Sequence, residues 1–301
     1  KAWIFLEANP EDVTPTSLEA WKALGVRTLS LGVQSLQEEA LAFLGRRHGP
    51  EVARRSVELA RGAGFRTVSV DLIYGLPGQD PARWRHDLEQ VLALQPDHLS
   101  CYQLTVHEGT PFGRRRARRE LEELPEEGQA ELFLWTHRFL NDAGYSGYEV
   151  SSFASLPEHR SRHNLKYWRH TPYLGLGPSA HSYRGRRRWW NARRLASWEE
   201  RVGIGQRPVE GSEELGRAEL ALETLMLGLR TYAGVDLEDF RRRFGAPLEE
   251  ENRELIERLI DQDLLQRTGH RLRPTLAGLG LADSLAVSFQ LPEESSSRFG
   301  L

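Results

Sequence analysis

Through the first half of the chain, short apolar runs alternate with stretches whose apolar residues return every three or four positions. Trp3–Leu6, Val26–Val33, the apolar part of Thr67–Gln79, Asp97–Val106 and Tyr148–Phe153 read as strands. Thr16–Leu24, Glu38–Leu44, Pro50–Ala63, Pro81–Leu94 and Glu126–Ala143 read as helices. Gly25, Gly64 and Gly144 stand where those helices should stop. Asp80 with Pro81 makes an N-cap followed by proline at the first helical position. Gly109–Pro125 has neither period and reads as irregular and charged. Strand–helix alternation over short links implies right-handed crossovers and a parallel sheet. A repeat supports this: Gly25-Val26-Arg27-Thr28-Leu29-Ser30-Leu31 returns 39 residues later as Gly64-Phe65-Arg66-Thr67-Val68-Ser69-Val70, as one helix–strand unit used twice would.

Polar residues interrupt the strands at telling places. Val68, Val70, Leu72 and Ile73 suit a strand buried on both faces, yet Asp71 sits among them. A buried carboxylate costs several kcal/mol, roughly, unless something satisfies it. Asp71 either caps the following loop or contacts a ligand at the mouth of a barrel. Glu7, Gln34 and Thr105 lie toward the ends of the other strands. One polar group from each of four successive strands favours a barrel or part-barrel over an open sheet, whose polar set would gather at one crevice. No GxGxxG follows a strand, so a dinucleotide site has no support.

Ser155–Asn191 is rich in His, Arg and aromatic residues, and includes His163-Asn164-Leu165-Lys166-Tyr167-Trp168 and the glycine-containing stretch Tyr173–Tyr183. Beyond about Glu213 helices dominate: Ala218–Leu229, Asp236–Phe244 and Leu248–Gln262, then a hairpin over Leu264–Pro274 and a last helix near Leu276–Leu285. Helices followed by a hairpin resemble a winged helix, but the helix that would enter a DNA groove carries Glu249, Glu250, Glu251, Glu254 and Glu257, which phosphates would repel. The expected division is 1–153, 154–211, 212–290 and a disordered tail, 291–301.

Composition narrows the function classes. Net charge is −3, so no overall field draws the chain to nucleic acid or membrane, and Arg114–Arg119 and Arg184–Arg194 read as solvated faces. No run reaches membrane-spanning length and no signal peptide precedes the first strand, which leads to the expectation of a cytoplasmic protein. Cys101 is the sole cysteine, so the chain forms no internal disulfide and offers no thiolate cluster. The sequence begins at Lys1, directly before an apolar run, with Met226 its sole methionine. An upstream segment is therefore expected to have been removed.

Leu6-Glu7-Ala8-Asn9-Pro10, Leu31-Gly32-Val33-Gln34-Ser35, Asp71–Gln79 and Gly175-Leu176-Gly177-Pro178-Ser179-Ala180-His181-Ser182, in that order and spacing, resemble the radical S-adenosylmethionine (SAM) family of oxygen-independent coproporphyrinogen III dehydrogenase. The resemblance spans roughly Glu7 to Leu285. It implies an α/β fold, a partial (β/α)6 TIM-like barrel with an α-rich, winged-helix-like C-terminal domain. By position it implies SAM contacts for Glu7, Gln34, Arg46 and Asp71, a backbone contact for Thr105, and a place near the adenine for His181. Carboxylates suit ribose hydroxyls or an ammonium, and Gln and Arg suit a carboxylate. Gln34 and Arg46 would equally serve an internal network closing the barrel rim.

His163, Asn164, Tyr167 and Trp168 fit the HNxxYW pattern of the HemW-type heme-chaperone branch. That implies heme contact, with His163 the iron ligand and Tyr167 and Trp168 against the macrocycle. The plain alternative is that His163 and Trp168 only pack the barrel's side. The family's Cys-x3-Cys-x2-Cys motif, which holds a [4Fe–4S] cluster, and its glycine-rich SAM segment are absent from these residues. The polypeptide is expected not to cleave SAM by itself. The function implied is heme binding and delivery to acceptor proteins; the runner-up is oxidative decarboxylation of coproporphyrinogen III. Neither nucleic acid nor an integral membrane segment is expected.

Overall fold

The computed structural model describes residues 2–245 and 247–291. The tail expected at 291–301 lies outside these residues except for Leu291. Two compact units divide the chain, Lys1–Arg160 and Ser161–Leu301.

The first unit is built on a six-stranded sheet of β1 (Ile4–Ala8), β2 (Val26–Gln34), β3 (Thr67–Tyr74), β4 (His98–Gln103), β5 (Ser146–Gly147) and β6 (Ser152–Ala154), in the order β1-β2-β3-β4-β6-β5. β1 to β4 pair in parallel. The repeat is the register of this pairing: Thr28, Leu29, Ser30 and Leu31 lie opposite Thr67, Val68, Ser69 and Val70. The helices before β2 and β3 both stop at a glycine in the left-handed region, Gly25 (φ 85°) and Gly64 (φ 73°). Each unit thus enters the sheet at the same height.

Alternation along a strand sends successive side chains to opposite faces. Leu29, Leu31, Val33, Val68, Val70 and Leu72 face one way and are almost wholly buried. Helices Pro50–Gly62 and Pro81–Ala93 contribute Ala53, Val57, Ala60, Trp84, Leu88 and Val91 to the same core. The opposite face carries Ser30, Ser69, Asp71, His98, Ser100 and Ser152, so the sheet is apolar on one side and hydroxyl-lined on the other.

Three expectations change. The sheet is not parallel throughout: of Tyr148–Phe153 only Ser152 and Phe153 lie in a strand, β6, which pairs antiparallel with both β4 and β5 because Ser151 to Phe153 return directly alongside β4 without a crossover helix. Gly109–Pro125 is not irregular but holds a helix, Pro111–Ala117, capped by the Thr110 hydroxyl on Gly113 N. A Cβ at Gly113 would collide with the His107 carbonyl, so this turn requires glycine. Leu248–Gln262 divides at Asn252 into Leu248–Glu251 and Arg253–Asp261. There Asn252, itself buried, bonds Leu248 O and both N and O of Gln290.

In the second unit, β7 (His181–Arg184), β8 (Arg187–Asn191) and β9 (Val209–Glu214) form an antiparallel sheet of their own. Helices Arg217–Leu229 and Leu237–Phe244 then pack with a second three-stranded sheet of β10 (Val235–Asp236), β11 (Leu265–Thr268) and β12 (Arg271–Pro274). Ala221, Leu225, Leu229, Phe240, Leu259 and Leu285 are central in this core. No helix among the described residues is long and apolar enough to cross a membrane.

Candidate functional site

Glu7 is the fourth residue of β1, Gln34 ends β2, Asp71 lies inside β3, and Thr105 falls two residues past β4. Arg46 follows the Glu38–Phe43 helix, and its Nη2 donates to Asn9 Oδ1 at 2.8 Å and to Gly32 O at 3.0 Å. Gln34 has φ 68°, an unusual backbone for glutamine that brings its amide back over the sheet. A Cβ on Gly32 would lie 2.9 Å from Gln34 Nε2 and 3.2 Å from Arg46 Nη2. Gly32 is two residues from Ser30, so that direction is the hydroxyl-lined face. Gln34, Arg46 and Asn9 therefore gather over Gly32, on the face that carries Asp71.

This corner is held from behind. His48 is buried, with Nε2 3.1 Å from Val33 O and Nδ1 3.1 Å from Glu11 Oε2, which pins the Arg46–His48 turn to β2. The turn after β2 is fixed by Asp87: Ser35 Oγ donates to Oδ2 at 2.6 Å and Leu36 N to Oδ1 at 3.0 Å.

Asp71 is the electrostatic centre of the face. Ser30 Oγ donates to Oδ1 at 3.1 Å and Oδ2 at 3.0 Å. Part of the residue stays accessible, but the carboxylate lies amid enough protein that loss of water raises its pKa to about 6. Hydrogen bonds from Ser100, Ser30 and Ser69 oppose that rise, and the charge of Glu7 adds to it. Glu7 and Asp71 are therefore near enough to repel. Tyr102 feels the same group: burial first, then Asp71, pushes its phenol up to about 12. Asp71, short of solvent and lined by hydroxyls, and the exposed Glu7 beside it can receive hydroxyl or ammonium donors, while Arg46 and Gln34 can receive a carboxylate. Deeper in the sheet His98 joins Ser69 Oγ and Tyr148 OH, each at 2.8 Å, and burial lowers its pKa to about 3, so it is neutral.

Thr105 is exposed; its hydroxyl donates to Gln103 O at 3.5 Å, a long contact. His181 belongs to the second unit, where it stacks on its cross-strand partner Trp190 with ring centres 5.8 Å apart. Asn9, Ser30, Ser69 and Ser100 were not in the residue set read from sequence. Ser30 and Ser69 had a signal, since they occupy the same place in the repeat.

His163, Asn164, Tyr167 and Trp168 lie on the Arg162–Trp168 helix, capped by Ser161 Oγ on Asn164 N at 3.1 Å. One helical turn brings His163 edge-on to Tyr167, ring centres 5.0 Å apart. Tyr167 meets Tyr173 at 4.7 Å, and Tyr183 stacks on His170 at 4.4 Å. Trp168 lies under the Arg230 guanidinium, 5.9 Å from its ring centre, and its Nε1 is buried without a partner. His170, missed from sequence, places Nε2 3.2 Å from Glu223 Oε2. Asn164, Tyr167 and His163 are all partly accessible.

As for metal chemistry, no three His, Cys, Asp or Glu side chains among the described residues gather to hold an ion. Cys101 is buried in β4, and burial drives its thiol well above the usual range, so it stays protonated.

Residues 1–91 match the Radical SAM superfamily and residues 215–281 the HemN C-terminal domain. The heme chaperone HemW of Mycobacterium tuberculosis is 35% identical over 284 residues, covering 94% of this chain and 70% of that protein. The heme chaperone HemW of Bacillus subtilis is 31% identical over 284 residues, covering 94% and 75%. Among solved structures, coproporphyrinogen III oxidase (HemN) from Escherichia coli, described as a radical SAM enzyme, aligns with TM-score 0.76 at 23% identity. That alignment covers 95% of this chain and 69% of the other. The fold is thus the radical SAM type, a part-barrel with parallel strands and a helical C-terminal domain.

Proposed function

Because the chain belongs to the heme chaperone HemW family, we propose that it binds heme and passes it to acceptor proteins, and that the Arg162–Trp168 helix presents the ligand. The observation that carries this is similarity to curated heme chaperones along 94% of the chain. His163 supplies an imidazole, a standard ligand for heme iron, and Tyr167 one turn away supplies a flat ring beside it. When bound, heme would supply an iron that the His163 imidazole would hold. Delivery would take place in the cytoplasm.

The same reading assigns SAM to Glu7, Gln34, Arg46 and Asp71, with a backbone contact at Thr105. Support comes from the meeting of Gln34 and Arg46 over Gly32 and from the carboxylate pair behind it. Asp71, with a pKa of about 6, is mostly ionised at neutral pH and accepts donors there. The sole cysteine of these residues is buried and protonated, so a [4Fe–4S] cluster does not fit the groups present, and SAM cleavage is not assigned to them. Oxidation of coproporphyrinogen III, the other reading, has support from likeness of fold alone.

Titration with heme followed at the Soret band tests the proposal. A saturable shift that weakens in His163→Ala is expected. No shift, or one indifferent to the substitution, overturns it.

A further inference from the structure

The second unit holds a cavity of about 540 Å³, lined by the Leu174–Gly177 loop, β8, the Leu195–Gly203 helix and Arg207–Val209. The volume falls in the range of small-molecule sites, roughly 300–1,000 Å³. Trp189 and Trp198 give it broad aromatic walls, and Leu174, Leu176 and Val202 add aliphatic surface. Leu174 is 69% exposed and Leu176 83%. Large aliphatic side chains grouped in the open, rather than scattered, mark a binding surface.

The loop that offers them is built, not loose. Gly175 N donates to Ser182 Oγ at 2.9 Å, and a Cβ at Gly175 would collide with the His181 carbonyl. Asn191 Nδ2 donates to Gly177 O at 2.9 Å. The charges around the cavity are uneven in a telling way. Arg186 pairs with Glu214, and Arg188 with Glu213 and Glu223. Arg187 and Arg207, which line the cavity, have no carboxylate partner among the described residues. Arg187 rests 6.0 Å from the centre of the Trp189 ring. Trp198 Nε1 is buried and finds no acceptor.

We propose that this cavity seats a flat, mainly apolar ring system bearing two carboxylate arms, a tetrapyrrole dicarboxylate. One face rests against the wall that Trp189 and Trp198 form, which leaves the other face free for an iron ligand, and its carboxylates meet Arg187 and Arg207, where charge-assisted and bidentate contacts are available. The inference rests on the heme reading above and deepens it: the macrocycle's seat is lined by other residues than the helix that bears His163. A fatty acid fits less well, since one carboxylate leaves a guanidinium unpaired and a flexible chain leaves the aromatic walls unused.

Metal-free protoporphyrin IX separates the seat from iron ligation. It is titrated by absorbance and fluorescence into the 301-residue protein, its Arg187→Gln/Arg207→Gln variant and its His163→Ala variant, with protoporphyrin dimethyl ester and palmitate as comparisons. Both arginines are exposed, so the double variant should fold, which thermal unfolding checks. The expected result is a loss of about tenfold or more in affinity for the diacid in the double variant, a similar deficit for the ester with the unaltered protein, and no loss in His163→Ala. Equal affinity of diacid and ester, no effect of the double substitution, or displacement of the porphyrin by palmitate at comparable concentration would overturn it. If neither heme nor porphyrin binds, the heme reading falls with it; if porphyrin binds without regard to Arg187 and Arg207, this inference alone falls.

Discussion

The hydroxyl-lined face of the six-stranded sheet and the aromatic run that begins at Ser161 hold their functional groups by different means. On the sheet, register does it. Ser30, Ser69 and Ser100 sit on adjacent strands at heights set by backbone pairing, and Asp71 is bonded where they meet. Around the Arg162–Trp168 helix, ring packing does it: His163 on Tyr167, Tyr167 on Tyr173, His170 on Tyr183. A register-set group cannot move without breaking a ladder, whereas ring contacts rearrange within rotamer wells. The first arrangement suits a small polar ligand held in one orientation. The second suits a broad ring system that must be taken up and released.

The largest effect should come from acid on the sheet unit. His98 and His137 are buried, with pKa values lowered by burial to about 3 and about 4. Unfolding lets both take up protons near their ordinary value, so stability is full above about pH 6.5 and is lost as pH falls toward 4. The loss should be on the order of 3 kcal/mol for each of the two groups, read from denaturant unfolding across that range. If stability is flat between those values, the buried network is not closed to water as described.

Asp71 works in the opposite direction. Its folded pKa, about 6, is above its unfolded value, so the fold holds the proton more tightly and stability falls as pH rises from about 4 to 6. Asp71→Asn should gain about 1–3 kcal/mol at pH 7 to 8 and nothing below pH 4. The same substitution should weaken SAM binding, which calorimetry would read. A gain at every pH would mean that packing, not charge, governs this position.

A smaller effect is expected at Gly32. An added methyl group would crowd Gln34 Nε2 and Arg46 Nη2. Both are ends of flexible side chains, so Gly32→Ala should cost only about 1 kcal/mol of stability. SAM affinity should fall about tenfold, because the two groups lose their meeting point. The smallest structural effect belongs to the ring-packed region: Tyr173→Phe keeps its ring contacts and should move thermal stability by less than about 0.5 kcal/mol.

Much of the first unit was legible because its repeat coincides with its strand register. Seven residues of pattern carried both the parallel pairing and the equivalence of Ser30 with Ser69. Glu7, Gln34 and Asp71 stood out as polar residues inside or ending apolar runs, and Arg46 through the family resemblance. Asn9 escaped notice because a residue at a turn has a local explanation already. The Pro111–Ala117 helix was masked by its arginines, although Thr110 before Pro111 is a capping signal. Asn252 breaks a helix whose period runs straight through it, since the break serves a contact with Gln290, distant in sequence. The sheet of β7 to β9 was hidden by exposed arginines at strand positions, which blur a period of two.

The most direct test is a heme titration of the 301-residue protein beside His163→Ala, with the variant's unfolding midpoint measured in parallel. The account predicts a saturable Soret shift, weakened at least about tenfold in the variant, with the midpoint unchanged. An identical shift in both proteins, or none in either, would contradict it.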